Sequence, residues 1–193
     1  MTTLITHNDL AGKRVRIEIC QTTFAILNVD ERNVRIDYDD KEEFRLKKHE
    51  SGVVHFYDEH PLLINYNEQS AETYINSRPD NVHELISEIK SCIDSITLGW
   101  RDWTTFFTDK MIHFSLEHFT HNIENGYGKL LDAPRSITER VVEACNNHKA
   151  ETKVFFHKEP SYQCKLMMIE NNYVIAKDFK LSNSAPPPST IIE

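Results

Sequence analysis

The residues best suited to chemistry lie between positions 113 and 121. His113, Glu117 and His121 are spaced by four, which aligns them along one stripe of an α-helix, and His118 lies on an adjoining stripe. Imidazole and carboxylate groups bind Zn²⁺ and other transition metals, and a bound metal lowers the pKa of a water molecule for hydrolysis. The spacing predicts a metal site and, with it, a metal-dependent hydrolase. The predicted ligands are His113, Glu117, His118 and His121.

Helix geometry limits what these four residues can do alone. Eight residues separate His113 from His121, which is about 12 Å along a helix axis, whereas zinc–nitrogen bonds are about 2.0–2.1 Å long. A metal would therefore need ligands from elsewhere, and the candidate suppliers are His55, Asp58, Glu59, His60, His148 and His157. The alternative is an acidic, His-rich helix edge that binds no metal, with His118 hydrogen-bonded in a buried stripe of the helix. No other cofactor is predicted.

Aromatic residues earlier in the same segment indicate a protein contact. Trp100 and Trp103 flank Arg101, and Trp and Arg dominate the binding energy of many protein interfaces. The predicted partner-binding residues are therefore Trp100, Arg101 and Trp103. Their helical spacing is also typical of core packing, which is the alternative explanation.

Composition and missing motifs exclude several classes of function. The chain carries 22 Lys and Arg against 30 Asp and Glu, a net charge of −8, and this sign disfavours nucleic acid and anionic membranes as partners. Its 5 glycines form neither a P-loop nor a dinucleotide-binding fingerprint. The Gly-x-Ser-x-Gly elbow of serine hydrolases is also missing from the sequence.

Cysteine usage and hydropathy favour the cytosol. The 4 cysteines show no paired spacing, which fits a reducing compartment better than a secreted protein. Residues 1–15 lack the apolar core of a signal peptide, and no apolar run approaches the roughly 20 residues of a membrane span. We expect a soluble, cytoplasmic protein.

A long helical pattern positions the candidate residues. Large apolar residues recur at steps of three and four across residues 81–123, and Asn81 with Glu84 has the spacing of a helix-capping pair. One helix over this range would be roughly 60 Å long, which is too long for a compact domain of this size. Because Gly99 is a weak helix former, we expect one bent helix or a helix pair, with the joint between Leu98 and Thr108.

The chain before this segment is predicted to be β-rich. Residues 14–19 alternate between polar and apolar, as in a half-buried strand, and further strands are predicted at residues 23–29, 34–38, 44–47, 53–57 and 62–66. Short polar turns, including Asp39-Asp40, favour antiparallel neighbours. The prediction is a β-meander that forms a curled sheet or a small barrel.

The chain after the helical segment is predicted to form a β-α-β-β unit. A strand at residues 129–133 precedes a helix that begins at a Ser136–Glu139 capping box, and strands follow at residues 152–157, 163–169 and 173–181. From residue 182 the Pro-rich sequence predicts a disordered tail. The predicted fold class is α+β, divided into residues 1–67, 68–125, 126–181 and 182–193.

Two functions from different classes fit these observations. The leading hypothesis is a non-catalytic module of the inhibitor or immunity type that binds a protein partner or a second copy of itself. Net acidity, the tryptophan-bearing segment and the missing catalytic motifs all favour it. The alternative is the metal-dependent hydrolase with its site on the central helix.

Overall fold

The fold is mixed α+β, as predicted, and consists of two compact units. The computed structural model describes residues 6–107 and 115–184. The first unit contains Met1–Leu63 and Tyr162–Glu193, and the second contains Ile64–Ser161. No helix among the described residues combines the length and the apolar character needed to cross a membrane.

The first unit is a closed barrel in the strand order β1-β2-β3-β9-β8-β4. Its strands are β1 Arg14–Cys20, β2 Phe24–Val29, β3 Arg32–Arg45, β4 Ser51–Tyr57, β8 Lys165–Ile169 and β9 Asn172–Ser184. Each neighbouring pair is antiparallel, and β1 pairs with β4 to close the ring. A short helix, α1 (His7–Leu10), precedes β1. Closure gives each of these six described strands a partner on both sides.

The predicted N-terminal meander is confirmed as part of this barrel, with two corrections. The turn predicted at Asp39-Asp40 is wrong, because β3 continues through it with Asp40 at a positive φ of 42° and a register shift between Lys41 and Glu43. The strand predicted at residues 62–66 is also wrong. That segment forms a 3₁₀ turn at Pro61–Leu63 and a short helix, α2 (Ile64–Asn67), and the turn buries two leucines.

The C-terminal end of the barrel corrects the predicted boundary of the tail. Strand β9 runs to Ser184, which pairs with Asn33 of β3, so the chain stays in the sheet beyond residue 182. The rest of the predicted tail, residues 185–193, lies outside the described residues.

The second unit is a sheet of three strands with helices. Its strands are β5 Ser70–Ile75, β6 Gly128–Pro134 and β7 Thr152–Phe156, in the order β6-β5-β7. Its longer helices are α3 Val82–Thr97, α4 Leu116–Asn125 and α5 Arg135–Asn147. Both outer strands are antiparallel to β5, so they run parallel to each other and α5 connects them. The predicted β-α-β-β unit is therefore formed only in part, because β6, α5 and β7 lie here with β5 between the two strands, whereas β8 and β9 belong to the barrel.

The described parts of the central segment contain two α-helices, α3 and α4, as predicted, and a 3₁₀ turn at Trp103–Phe106, whereas residues 108–114 lie outside the described residues. The Asn81 side chain accepts a hydrogen bond from the Glu84 N–H at 3.2 Å, and α3 ends at Thr97, where Leu98 adopts a left-handed φ of 49°. The break lies at the start of the predicted joint. Apolar residues from α3, α4, α5 and the sheet form one core, which includes Leu85, Ile89, Ile93, Phe119 and Ile123.

The start of α5 differs from the predicted capping box. The N-cap residue is Pro134, which makes no side-chain capping hydrogen bond. The Ser136 N–H instead donates to the Glu68 carboxylate at 2.8 Å. A carboxylate at a helix N-terminus interacts favourably with the helix dipole, so Glu68 takes the role predicted for the serine hydroxyl.

Candidate functional site

The predicted metal ligands lie on the exposed face of α4, except His113, which lies outside the described residues. Glu117, His118 and His121 are all exposed, so the alternative that placed His118 in a buried stripe is wrong on that point. The Ser115 side chain caps the helix by accepting from the His118 N–H, and its Oγ is 3.0 Å from His118 Nδ1. Among the described residues, none of these ligands joins a group of three whose ligand atoms lie within 4.8 Å of one another. The four-residue site remains a prediction.

The predicted partner-binding residues have different environments. The Trp103 ring packs edge-to-face on Phe107 at 4.9 Å and on Phe119 at 5.8 Å, measured between ring centroids. Trp103 is therefore partly buried against the core, although it lies in the 3₁₀ turn Trp103–Phe106 and not on a helix as its spacing predicted. Trp100 is 38% exposed and Arg101 is partly buried. A contact through Trp100 and Arg101 remains a prediction.

A group of metal-binding side chains does converge on the sheet of the second unit. The ligand atoms of Glu72, Asp132 and His157 all lie within 4.8 Å of one another. Glu72 pairs directly with Asp132 on β6 and with Phe155 on β7, and His157 follows two residues later. Because side chains alternate between sheet faces, all three project from the same face.

A lysine compensates the charge of this group. Lys129 Nζ lies 2.6 Å from Glu72 Oε1 and 3.7 Å from Asp132 Oδ2. The hydrogen bond from Lys129 lowers the pKa of the Glu72 carboxyl and outweighs partial burial, which acts in the opposite direction. The Tyr74 hydroxyl also donates to Glu72, at 3.1 Å, and His157 Nε2 lies 3.6 Å from Asp132 Oδ2.

This arrangement suits a charge-compensated network better than a ready metal site. Ligands bound to zinc at about 2.0–2.1 Å lie roughly 3.3 Å from one another in a tetrahedral site. The separation of 3.6 Å between His157 Nε2 and Asp132 Oδ2 is slightly longer than this. The ammonium of Lys129 also donates to one of the required carboxylates. A metal bound through Glu72 Oε1 would therefore have to displace Lys129.

Sequence reasoning identified only part of this group. His157 was among the candidate suppliers, whereas Glu72 and Asp132 were missed because β5 was not predicted. Comparison with protein families, with curated proteins and with solved structures finds no match to this chain.

The backbone of β7 provides a second candidate site. The His157 N–H donates to the Ser70 carbonyl at 2.9 Å, and the Glu151 carbonyl accepts from the Asn76 N–H at 2.8 Å. Odd-numbered residues of this strand thus face β5. Because successive residues direct their N–H and C=O groups to opposite sides, the even-numbered residues face away. Within the described part of the chain, no strand pairs with that side of β7.

Large apolar side chains flank this free edge on both sheet faces. Phe155 is 57% exposed and Phe156 is 45% exposed. Phe155 packs edge-to-face on Tyr74 with ring centroids 5.7 Å apart, and the Arg135 guanidinium lies 5.0 Å from the centroid of Phe156. Exposed aromatic groups beside an open strand edge are typical of an interaction surface.

The opposite edge of the sheet, at β6, is less suited to pairing. The β5–β6 register shifts between Thr73 and Tyr74, so Leu130 forms a bulge, and the strand ends at Pro134. The Lys129 carbonyl also accepts a hydrogen bond from Asn122 Nδ2 at 2.9 Å. Bulges and prolines protect an edge from strand addition. By contrast, β7 has a continuous register and no proline.

Proposed function

We propose that this chain is a non-catalytic protein-binding module of the inhibitor or immunity type, and that its contact surface is the free edge of β7. The observation that supports this proposal is the outward direction of the N–H and C=O groups of Thr152, Val154 and Phe156 beside two exposed phenylalanines. The proposal also includes the cytosolic compartment, which the 4 free cysteines favour.

Strand addition explains how such an edge would bind. Main-chain hydrogen bonds between β7 and an extended partner segment would supply affinity, and the alternating side chains would supply specificity. Phe155 would contact the partner on one sheet face and Phe156 on the other. Such a surface needs no catalytic residue, in keeping with the missing catalytic motifs.

A substitution at Val154 tests the proposal. Val154→Pro removes the outward N–H at the centre of β7 but leaves the hydrogen bonds to β5, which come from the odd-numbered residues. Val154→Thr is the matched control, because it keeps the N–H and a β-branched side chain. Random peptides long enough to pair with all of β7 would be displayed and selected for binding to the wild-type protein. The selected peptides should bind Val154→Thr and should not bind Val154→Pro.

Two outcomes of this selection would contradict the proposal. The first is a set of peptides that bind the Val154→Pro variant as tightly as the wild type. The second is a selection that gives no binders above background. Circular dichroism of the variants would verify that each has kept its fold.

The alternative, a metal-dependent hydrolase, has weaker geometric support. Its predicted ligands on α4 are exposed, and the group that converges elsewhere is compensated by Lys129. Elemental analysis of protein purified without chelator would test it, together with melting temperatures after addition of Zn²⁺, Mn²⁺ or Ni²⁺. One equivalent of metal and a raised melting temperature would favour the hydrolase over the binding module.

A further inference from the structure

The geometry of β7 points to a second copy of this chain as the partner that pairs with its free edge. This inference rests on the proposed function, because it names the occupant of the same surface. Two β7 strands would pair antiparallel about a two-fold axis through Val154. The result would be one sheet across both copies, in the order β6-β5-β7-β7-β5-β6.

The backbone selects this register. Val154 would pair with Val154 of the second copy, and Thr152 with Phe156 of the second copy. These are the residues whose N–H and C=O groups face outward, so each would exchange hydrogen bonds with its opposite residue. Strand β7 is 5 residues long, and only a register centred on Val154 pairs its whole length with itself.

The side chains select the same register. With the axis at Val154, Lys153 lies opposite Phe155 of the second copy, where its ammonium can contact the ring face. Just beyond the ends of the strand, Glu151 lies opposite His157, whose ring N–H can donate a hydrogen bond to the carboxylate. Opposite charges directly across an antiparallel pair are stabilising, and like charges are destabilising.

The neighbouring registers shorten the pairing or place like charges opposite each other. With the axis at Phe155, only residues 154–156 of each β7 would pair. With the axis at Lys153, the two Lys153 side chains would face each other. If one copy were shifted along the other by a single residue, side chains on the inner face of its sheet would align with those on the outer face of the other sheet. Val154 is therefore the favoured centre.

The size of the contact sets the expected affinity. Pairing of 5 residues on each side gives a small interface, below the roughly 1,200 Å² of stable complexes, so the dimer should be weak and concentration-dependent. Sedimentation of the wild-type protein from about 10 μM to about 1 mM should show the mass rising from 22.6 kDa towards twice that value. Val154→Pro should stay monomeric over the same range, and Val154→Thr should dimerise.

Disulfide trapping tests the register itself. Paired residues that exchange hydrogen bonds have Cα atoms about 5.5 Å apart, within the span of a disulfide. Val154→Cys should therefore form a covalent dimer under mild oxidation. Thr152→Cys, placed opposite Phe156 of the second copy, is the matched control and should not. The wild-type protein, with its native cysteines, measures the background.

The outcomes separate this inference from the proposed function. Equal cross-linking of the two cysteine variants would overturn the register. A monomeric wild-type protein at the highest concentration would overturn the dimer. If selected peptides still bound that monomer through Val154, the binding edge would stand and its partner would be another protein. If the protein stayed monomeric and also bound no peptide, both proposals would fail.

Discussion

Lys129 Nζ lies 2.6 Å from Glu72 Oε1, so an ammonium on β6 neutralises a carboxylate on the central strand of the sheet. The bulge at Leu130 allows this contact, because it places the Lys129 side chain on the same sheet face as Asp132. Without the lysine, two carboxylates would share that face with His157 as their nearest basic group. The ion pair therefore compensates one of the two carboxylates that a cation would need.

Replacing Lys129 by Met should reduce the change in the free energy of unfolding between neutral and acid pH. The Glu72 pKa is lowered in the folded protein, so its ionised form stabilises the fold above the unfolded pKa, and this contribution is lost as pH falls through the folded pKa. Lys129→Met should lower the free energy of unfolding by about 1 kcal/mol at neutral pH and by less in acid. Urea unfolding at both pH values would measure this.

The control for that experiment is Lys158→Met, which removes the same charge from an exposed position with no ion pair among the described residues. It should change stability little at either pH. A loss of stability in Lys129→Met that is equal at neutral and acid pH would show that the ion pair with Glu72 is not its cause.

Lys129→Met should also create an affinity for divalent metal ions. With the ammonium removed, Glu72, Asp132 and His157 can close around a divalent ion without displacing a cation. Calorimetric titration with Zn²⁺ should show binding to Lys129→Met at least about tenfold tighter than to the wild type, a difference of about 1.4 kcal/mol. Adding His157→Ala to that variant should remove the gain. Equal affinity of the wild type and Lys129→Met would contradict the inhibitory role of the lysine.

Local sequence patterns are sufficient to predict several helices and strands, but they are not sufficient to predict the group of Glu72, Asp132, His157 and Lys129. Asn81 and Glu84 form a local cap that any helix in this position would use, and the alternation at residues 14–19 identified β1. Strand β5 has no comparable signal, because Ser70–Ile75 mixes polar and apolar residues in a short run. Its position depends on pairing with two strands that are distant in sequence, and the position of Glu72 depends on β5.

Long-range pairing also explains the corrections in the barrel. Closure requires β9 to pair with β3 and β8 to pair with β4, and both partners are more than a hundred residues away in sequence. The polar pair Asp39-Asp40 resembles a turn locally, but Asp39 pairs with Asp178 and remains in the strand. Tertiary pairing overrides the local preference for a turn at this point.

Amide exchange should alternate along β7 in dilute protein. The N–H groups of Lys153 and Phe155 face β5 and should be protected, whereas those of Val154 and Phe156 face the free edge and should exchange quickly. Residue-resolved hydrogen exchange by NMR would measure this pattern. Equal protection of all four amides at low concentration would show that another group covers the edge.

Two glycines that follow helices should respond differently to substitution. Both have positive φ, +67° at Gly126 and +77° at Gly99, so alanine at either should cost about 1 kcal/mol of backbone strain. An added Cβ at Gly126 would lie 2.2 Å from the Arg78 backbone nitrogen, whereas at Gly99 it would meet no described heavy atom within 4 Å. Gly126→Ala should lose about 1–3 kcal/mol more than Gly99→Ala in urea unfolding. Equal losses would contradict the close approach at Gly126.

The two tryptophans should separate core packing from partner contact. Trp103 contacts Phe107 and Phe119, and Phe119 is fully buried, so Trp103→Ala should leave a cavity and lose about 3 kcal/mol of stability. Trp100 is 38% exposed, so Trp100→Ala should lose less than about 1 kcal/mol. Urea unfolding followed by circular dichroism compares the two without relying on tryptophan fluorescence.

If Trp100→Ala kept its stability but weakened dimerisation or peptide binding, the contact surface would extend beyond β7 to the predicted Trp100 and Arg101. If it changed neither, β7 would carry the contact without them.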